Sequence, residues 1–259
     1  MQMKMVKKSM KITAHRGVSS LAPENTLAAF EQAALLGLDW IEIDVQLSQD
    51  KVPVVIHDRT VNRCTNGRGR VADMSVQALK ALDAGLWFGD AYEGESIPTL
   101  AETLLLAQKH DLTVNVELKH YEGDDIDLLC QQVKLVMTEL GIAKEQVLFS
   151  SFSTQALTVM QRIMPTIRRG QLWQQIPDNA LAILDELDAY SVHCDFHFLD
   201  ERTARWIKSA GYQLYCYTPN HPLLVESFWE WGVDMMISDV PQDYQSQSTA
   251  SKPQEFVDA

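Results

Sequence analysis

Apolar and polar positions alternate with period two over residues 40–45, Trp-Ile-Glu-Ile-Asp-Val, and Val54-Val55-Ile56 is a second β-branched run, so both read as strands. In the first, Glu42 and Asp44 share one face while Ile41, Ile43 and Val45 share the other. Residues 46–52 alone separate the two runs, fewer than the roughly dozen a parallel crossover needs, which predicts an antiparallel hairpin. Closed about Asp50-Lys51, that hairpin sets residue 44 opposite residue 57 and His57 beside Asp44. Upstream, Lys11-Ile12-Thr13-Ala14 is a short strand delivering His15-Arg16-Gly17 at its end. Pro23-Glu24-Asn25-Thr26 then opens a helix with Leu27, Phe30, Ala34 and Leu35 at helical spacing, stopped by Gly37.

Residues 59–98 break the rhythm with turn-rich Asn62, Thr65-Asn66-Gly67 and Phe88-Gly89-Asp90, and predict one short helix over 75–82. This stretch reads as an insertion on a regular scaffold, expected to form a cap over the mouth that carries the candidate residues. From Pro98 onward helices are predicted over 98–110, 124–140, 153–164, 178–187, 200–210 and 221–231. Strands are predicted over 113–119, 147–152, 167–173, 189–195, 212–218 and 234–239. With the strands at 11–16 and 40–45, the alternation predicts a single (β/α)8 barrel over residues 11–241, followed by a polar tail over 242–259.

Composition narrows the class little: 46% hydrophobic and 22% charged residues describe an ordinary soluble globular chain. No apolar run reaches the roughly 18 residues of a membrane span, and the basic start leads into a strand without an apolar leader core, so a cytoplasmic location is expected. Cys64, Cys130, Cys194 and Cys216 are scattered singly and read as buried thiols of a reducing compartment. The net charge of −13 argues against nucleic acid and stable association with anionic membranes, and leaves a small-molecule substrate as the expected partner.

In barrels of this kind chemistry sits at the C-terminal ends of the strands. There the chain places His15 and Arg16, Glu42 and Asp44, and Glu117 with Lys119 on one face of the next strand. Carboxylates inside β-branched strands repel one another unless a cation neutralises them, and all-oxygen ligation by Glu42, Asp44 and Glu117 suits one Mg²⁺ or Ca²⁺. His15 and His57 are candidate proton-transfer groups, since imidazole titrates near neutral pH. Arg16 and Lys119 read as anion-binding groups or as partners of the three acids. Asn25 and Thr26 read as helix caps or substrate contacts, Asp58 as an orienting group or a loop residue, and Phe152, Trp173 and Tyr217 as pocket lining or packing. His193 is divided between lining and structure.

Six motifs in order, Ala14-His15-Arg16-Gly17, Pro23-Glu24-Asn25-Thr26, Glu42-x-Asp44, His57-Asp58, Thr65-Asn66-Gly67 and Glu117-x-Lys119, resemble the glycerophosphodiester phosphodiesterase family from about residue 11 to Pro241. The resemblance implies metal-dependent cleavage of substrates such as glycerophosphocholine or glycerophosphoethanolamine to sn-glycerol 3-phosphate and an alcohol. It makes His15 and His57 the catalytic pair, Glu42, Asp44 and Glu117 the ligands of the divalent cation, and Arg16, Lys119 and Tyr217 the substrate contacts. The family's usual Trp-Thr at the end of the seventh strand is Tyr217-Thr218 here, and its usual Asp-Gly-Ile-Ile-Thr-Asp is Asp234 to Asp239 with Met235, Met236 and Ser238, which places the departures on the alcohol side. A lysophospholipase D that uses Leu86-Trp87-Phe88 for an acyl chain, and a non-catalytic phosphodiester-binding barrel, are the competing readings.

Overall fold

The computed structural model describes residues 11–250 of the 259-residue chain. Its strands are β1 (Lys11–Ala14), β2 (Trp40–Leu47), β3 (Pro53–Val55), β4 (Thr113–Leu118), β5 (Val147–Ser151), β6 (Arg168–Trp173), β7 (Ser191–Asp195), β8 (Gln213–Tyr217) and β9 (Met235–Ser238). Between them run α1 (Leu27–Leu35), α2 (Val76–Lys80), α3 (Leu100–Lys109), α4 (Ile126–Glu139), α5 (Thr154–Ile163), α6 (Ala180–Glu186), α7 (Glu201–Ser209) and α8 (Glu226–Trp231), with α9 (Pro241–Ala250) at the end. The sheet order is β1-β9-β8-β7-β6-β5-β4-β2-β3, and β1 also pairs with β2. All strands but β3 are therefore parallel and close into a ring, a (β/α)8 barrel.

Period-two alternation decides which side chains meet helices and which fill the ring. Ile41, Ile43 and Val45 of β2 pack outward with Phe30, Leu100 and Leu104 of the helical layer. Val192, Cys194, Leu214, Cys216 and Met236 do the same on the far side, and all four cysteines are free and buried. Inside the ring, Trp40, Leu148, Tyr215, Met235 and Ile237 form a small apolar plug, and Arg168 stacks its guanidinium 5.2 Å from the Trp40 ring. Helix starts are fixed by short polar side chains: Thr26, Ser75, Asp125, Ser153 and Asp200 each accept a hydrogen bond from a first-turn N–H, and Thr99 with Glu102 forms a capping box. Among the described residues no helix is long and apolar enough to cross a membrane.

The hairpin is antiparallel as predicted, but its register differs by one residue from the predicted one. Val45 pairs with Val55 and Leu47 with Pro53, and Ile56 N–H donates to Asp44 O at 2.9 Å, so Ile56 and not His57 lies opposite Asp44. The cause is the turn. Ser48 N–H bonds Val52 O at 3.0 Å and Lys51 takes φ 66°, so three residues rather than two form the loop, and the left-handed position falls on its last residue.

The stretch after β3 builds its own apolar cluster from Val61, Val71, Leu79, Ala84 and Ile97 against Val54 and Ile56. At the other end, residues 241–250 are helical where a polar tail was expected. Tyr244 is the reason: it is 3% exposed and its hydroxyl donates to Pro219 O at 2.7 Å. Residues 251–259 lie outside the described residues.

Candidate active site

Asp44 and Glu117 are register partners on β2 and β4, and Glu42 lies two residues before Asp44 on the same face. Parallel pairing therefore brings three carboxylates together, with one oxygen of each inside a 4.8 Å span. Glu42 is 3% exposed and Asp44 1%. Glu42 Oε1 and Asp44 Oδ1 are buried without a hydrogen-bond partner. Burial, reinforced by Asp44 and Glu117, pushes the Glu42 carboxyl well above its usual range. Burial acts on Asp44 in the same sense, but Lys119, Arg16 and His57 outweigh it and hold Asp44 well below that range. Orphaned carboxylate oxygens in an all-oxygen cluster are what a hard divalent cation would satisfy, so the residues fit such an ion.

Both candidate cations lie against these acids. Lys119 Nζ is 2.8 Å from Glu117 Oε1 and 3.4 Å from Asp44 Oδ1. Arg16 donates from its backbone N–H to Glu42 Oε2 at 3.0 Å, reaches Asp44 Oδ2 through Nε at 3.3 Å and bonds Glu24 Oε1 through Nη1 at 2.8 Å. Arg16 and Gly17 make this turn at φ 57° and 78°, and a Cβ on Gly17 would lie 2.6 Å from Ala29 Cβ. Of the two polar residues that precede α1, Thr26 caps the helix. Asn25 instead serves Asp44, donating from Nδ2 to Oδ2 at 2.8 Å and accepting the Asp44 N–H.

The imidazoles enter from the ends of β1 and β3. His15 Nδ1 is 2.7 Å from Asp239 Oδ1, and its Nε2 is 3.9 Å from Glu42 Oε2. His57 Nδ1 is 2.7 Å from Asp58 Oδ1. An ionised carboxylate only accepts, so each ring carries a hydrogen on Nδ1 and keeps Nε2 for other partners. Asp239 is held in turn by Ser19 Oγ at 2.9 Å and Asn220 Nδ2 at 2.7 Å, whereas Asp58 is gripped by Arg63. The Arg63 bonds bring the Asp58 carboxyl down to about 2. Tyr121 fixes the backbone at this point by donating its hydroxyl to His57 O.

A cavity of about 170 Å³ is lined by His15, His57, Glu42, Glu117, Arg16 and Lys119 on its polar side. Phe152, Leu172, Tyr217 and Ile237 form its apolar side, with Phe152 and Tyr217 edge to face at 6.1 Å. Every residue proposed from the sequence for chemistry is thus on or directly under one cavity. No residue of 59–98 lines it. That segment meets the barrel beside the cavity instead, through Arg63 and through the Tyr92 hydroxyl bonded to Leu21 O. His193 is structural: fully buried inside the ring, it bonds Ser191 Oγ at 2.9 Å, and burial drives its pKa down to about 3. Sequence reasoning missed Asp239, Asn220, Ser19 and Arg63 as partners of the site. Only Asp239 had a signal, its place at the end of the last strand.

Residues 15–243 match the model of the glycerophosphoryl diester phosphodiesterase family. A glycerophosphodiester phosphodiesterase of Caldanaerobacter subterraneus subsp. tengcongensis is 37% identical over 235 residues, 89% of this chain and 94% of the relative. Another, from Bacillus subtilis, is 32% identical over 243 residues, 88% and 83% of the two chains. A solved phosphodiesterase structure from Oleispira antarctica, in complex with the product sn-glycerol-3-phosphate, superposes with a TM-score of 0.89 at 36% identity, covering 92% of this chain and 96% of that one. The chain is an enzyme of the glycerophosphoryl diester phosphodiesterase family.

Proposed function

We propose that this enzyme hydrolyses glycerophosphodiesters, such as glycerophosphocholine and glycerophosphoethanolamine, to sn-glycerol 3-phosphate and the free alcohol. One observation carries the reading: two imidazoles, each tied at Nδ1 by a carboxylate, share one cavity with the acidic cluster. The product bound in the Oleispira antarctica relative supports the choice of substrate.

Glu42, Asp44 and Glu117 would hold one divalent cation, Mg²⁺ or Ca²⁺, which when bound supplies positive charge to the non-bridging phosphate oxygens. With a divalent ion bound, Glu42 would ionise beside Asp44 and Glu117, and the three carboxylates, Arg16, Lys119 and the ion would sum to one net positive charge. That matches the single negative charge of a phosphodiester. Arg16 and Lys119, held in place by the acids, add their charge from the cavity wall. Of His15 and His57, one accepts through Nε2 the proton of the attacking hydroxyl as the new P–O bond forms; that hydroxyl is either water or the substrate's glycerol 2-hydroxyl, and in the second case water then opens the resulting cyclic phosphate. The other imidazole, carrying a second hydrogen on Nε2, donates that proton to the leaving alkoxide oxygen as the old P–O bond breaks. The Phe152–Tyr217 wall is where the alcohol group rests.

The test is glycerol 3-phosphate release from a panel of glycerophosphodiesters, with and without chelator. Release that stops on chelation and returns with Mg²⁺ or Ca²⁺ is expected. Full turnover in excess chelator refutes the cation assignment, and no release from any member of the panel refutes the substrate class.

A further inference from the structure

Arg63 stands outside the cavity in the turn-rich segment after β3, with its side chain 45% exposed. An arginine that open to solvent ordinarily makes an ion pair of little consequence. This one makes four charge-assisted bonds to two carboxylates. Nε and Nη2 bond Asp58 at 2.8 and 2.9 Å, and Nη1 and Nη2 bond Glu24 at 2.7 and 2.8 Å.

Neither carboxylate is idle. Asp58 Oδ1 also holds His57 Nδ1 at 2.7 Å, and Glu24 Oε1 also accepts from Arg16 Nη1 at 2.8 Å. Arg16 continues to Asp44. A single guanidinium therefore joins the loop that carries His57 to the turn that carries Arg16, segments that reach the cavity from different strands. The planar fork suits two carboxylates at once, which a lysine ammonium does not.

We infer that Arg63 is a positioning residue: it clamps Asp58 and Glu24 together, and through them it fixes His57 and Arg16 without touching substrate. The roles of His57 and Arg16 are those of the proposed function, on which this inference rests. Without the clamp, Asp58, with its side chain 31% exposed, turns toward water and releases the His57 ring. Glu24, 13% exposed, keeps its bond to Arg16, and the side-chain link from that pair to Asp58 is lost. A loosened proton-transfer group lowers kcat, and a loosened phosphate contact raises KM, so one residue remote from the chemistry moves both.

Arg63→Met tests this on glycerophosphocholine. Its kcat is expected to fall about 10- to 100-fold and its KM to rise several-fold, with thermal unfolding little changed. Arg63→Lys keeps the charge and loses the fork, so it should stay impaired even if the methionine variant folds poorly. Combining Arg63→Met with Asp58→Asn should lower kcat little further than Asp58→Asn alone. In ¹⁵N-histidine spectra the Nδ1–H signal of His57, assigned by its loss in His57→Ala, should become fast-exchanging in Arg63→Met. Wild-type kcat and KM in either Arg63 variant, or fully multiplicative losses in the double variant, overturn the clamp. If the wild type releases no glycerol 3-phosphate, it is the functional reading that fails. The His57 signal then decides the clamp alone: its persistence in Arg63→Met overturns it.

Discussion

Replacing Asp239 by asparagine should disable one imidazole without disturbing the barrel. Asp239 Oδ1 accepts from His15 Nδ1 at 2.7 Å and from Ser19 Oγ at 2.9 Å, and Oδ2 accepts from Asn220 Nδ2 at 2.7 Å. Asn220 cannot adapt by rotating its amide. Its Oδ1 already accepts the Asp239 N–H at 3.0 Å and the Ser238 hydroxyl at 3.1 Å, which fixes its Nδ2 toward Asp239. The new amide has one acceptor oxygen where two are needed. With its NH₂ toward Asn220, two donors face each other. With its NH₂ toward His15, the ring must bare Nδ1 and carry its hydrogen on Nε2, the nitrogen nearest Glu42. A charge-assisted hydrogen bond of this type contributes about 1.5–3 kcal/mol. Lost from the transition state, that is roughly a 10- to 150-fold fall in kcat. KM should move by no more than about threefold, since no phosphate contact changes. Initial rates of glycerol 3-phosphate release, with circular dichroism to confirm folding, measure this. A kcat within about threefold of wild type, beside an inactive His15→Ala, would falsify the orienting role of Asp239.

The remaining predictions concern the cavity wall, the ring interior and acid stability. His15→Ala and His57→Ala should each lower kcat about 10²–10⁴-fold with little change in KM, while Arg16→Ala should raise KM as well; near-normal kcat in both histidine variants refutes the two-imidazole mechanism. Gly170→Ala should destabilise by about 1–3 kcal/mol, because a Cβ there would lie 2.5 Å from His193 Nε2 and 2.6 Å from Ser191 Oγ; an unchanged urea midpoint contradicts the packing described. Burial raises the Asp239 carboxyl, but the hydrogen bond and attraction from His15, with Asn220 and Ser19, outweigh it and leave it well below its usual range. A depressed folded value means stability that is present above the unfolded value near 4 and lost as pH falls below it. Between pH 5 and pH 3 the wild type should therefore lose about 1 kcal/mol more than Asp239→Asn, after allowance for solvent screening. Parallel losses in urea titrations contradict this.

Local chain chemistry was enough to determine much of this protein. Period-two and period-3.6 patterns placed the strands and helices that close the ring. The same alternation put Glu42 with Asp44, and Glu117 with Lys119, on shared faces, because side-chain direction along a strand depends only on near neighbours. The hairpin's direction followed from the shortness of its connection, but its register did not. Register depends on which turn residue adopts φ > 0, and Lys51 gives no compositional sign of doing so. Ile56 therefore pairs with Asp44, and His57 reaches the cavity only because the chain leaves the ladder there. The pairing of Arg16 and Lys119 with the acids, open in the sequence, required the strands to be laid side by side. Asp239 is 224 residues from His15 in the chain and 2.7 Å from it in space. Arg63 and Glu24 are 39 residues apart and meet through the fold of the segment after β3. No periodicity encodes such contacts: the first arises when closure of the barrel brings its last strand beside its first, and the second when the segment after β3 folds back against the turn before α1.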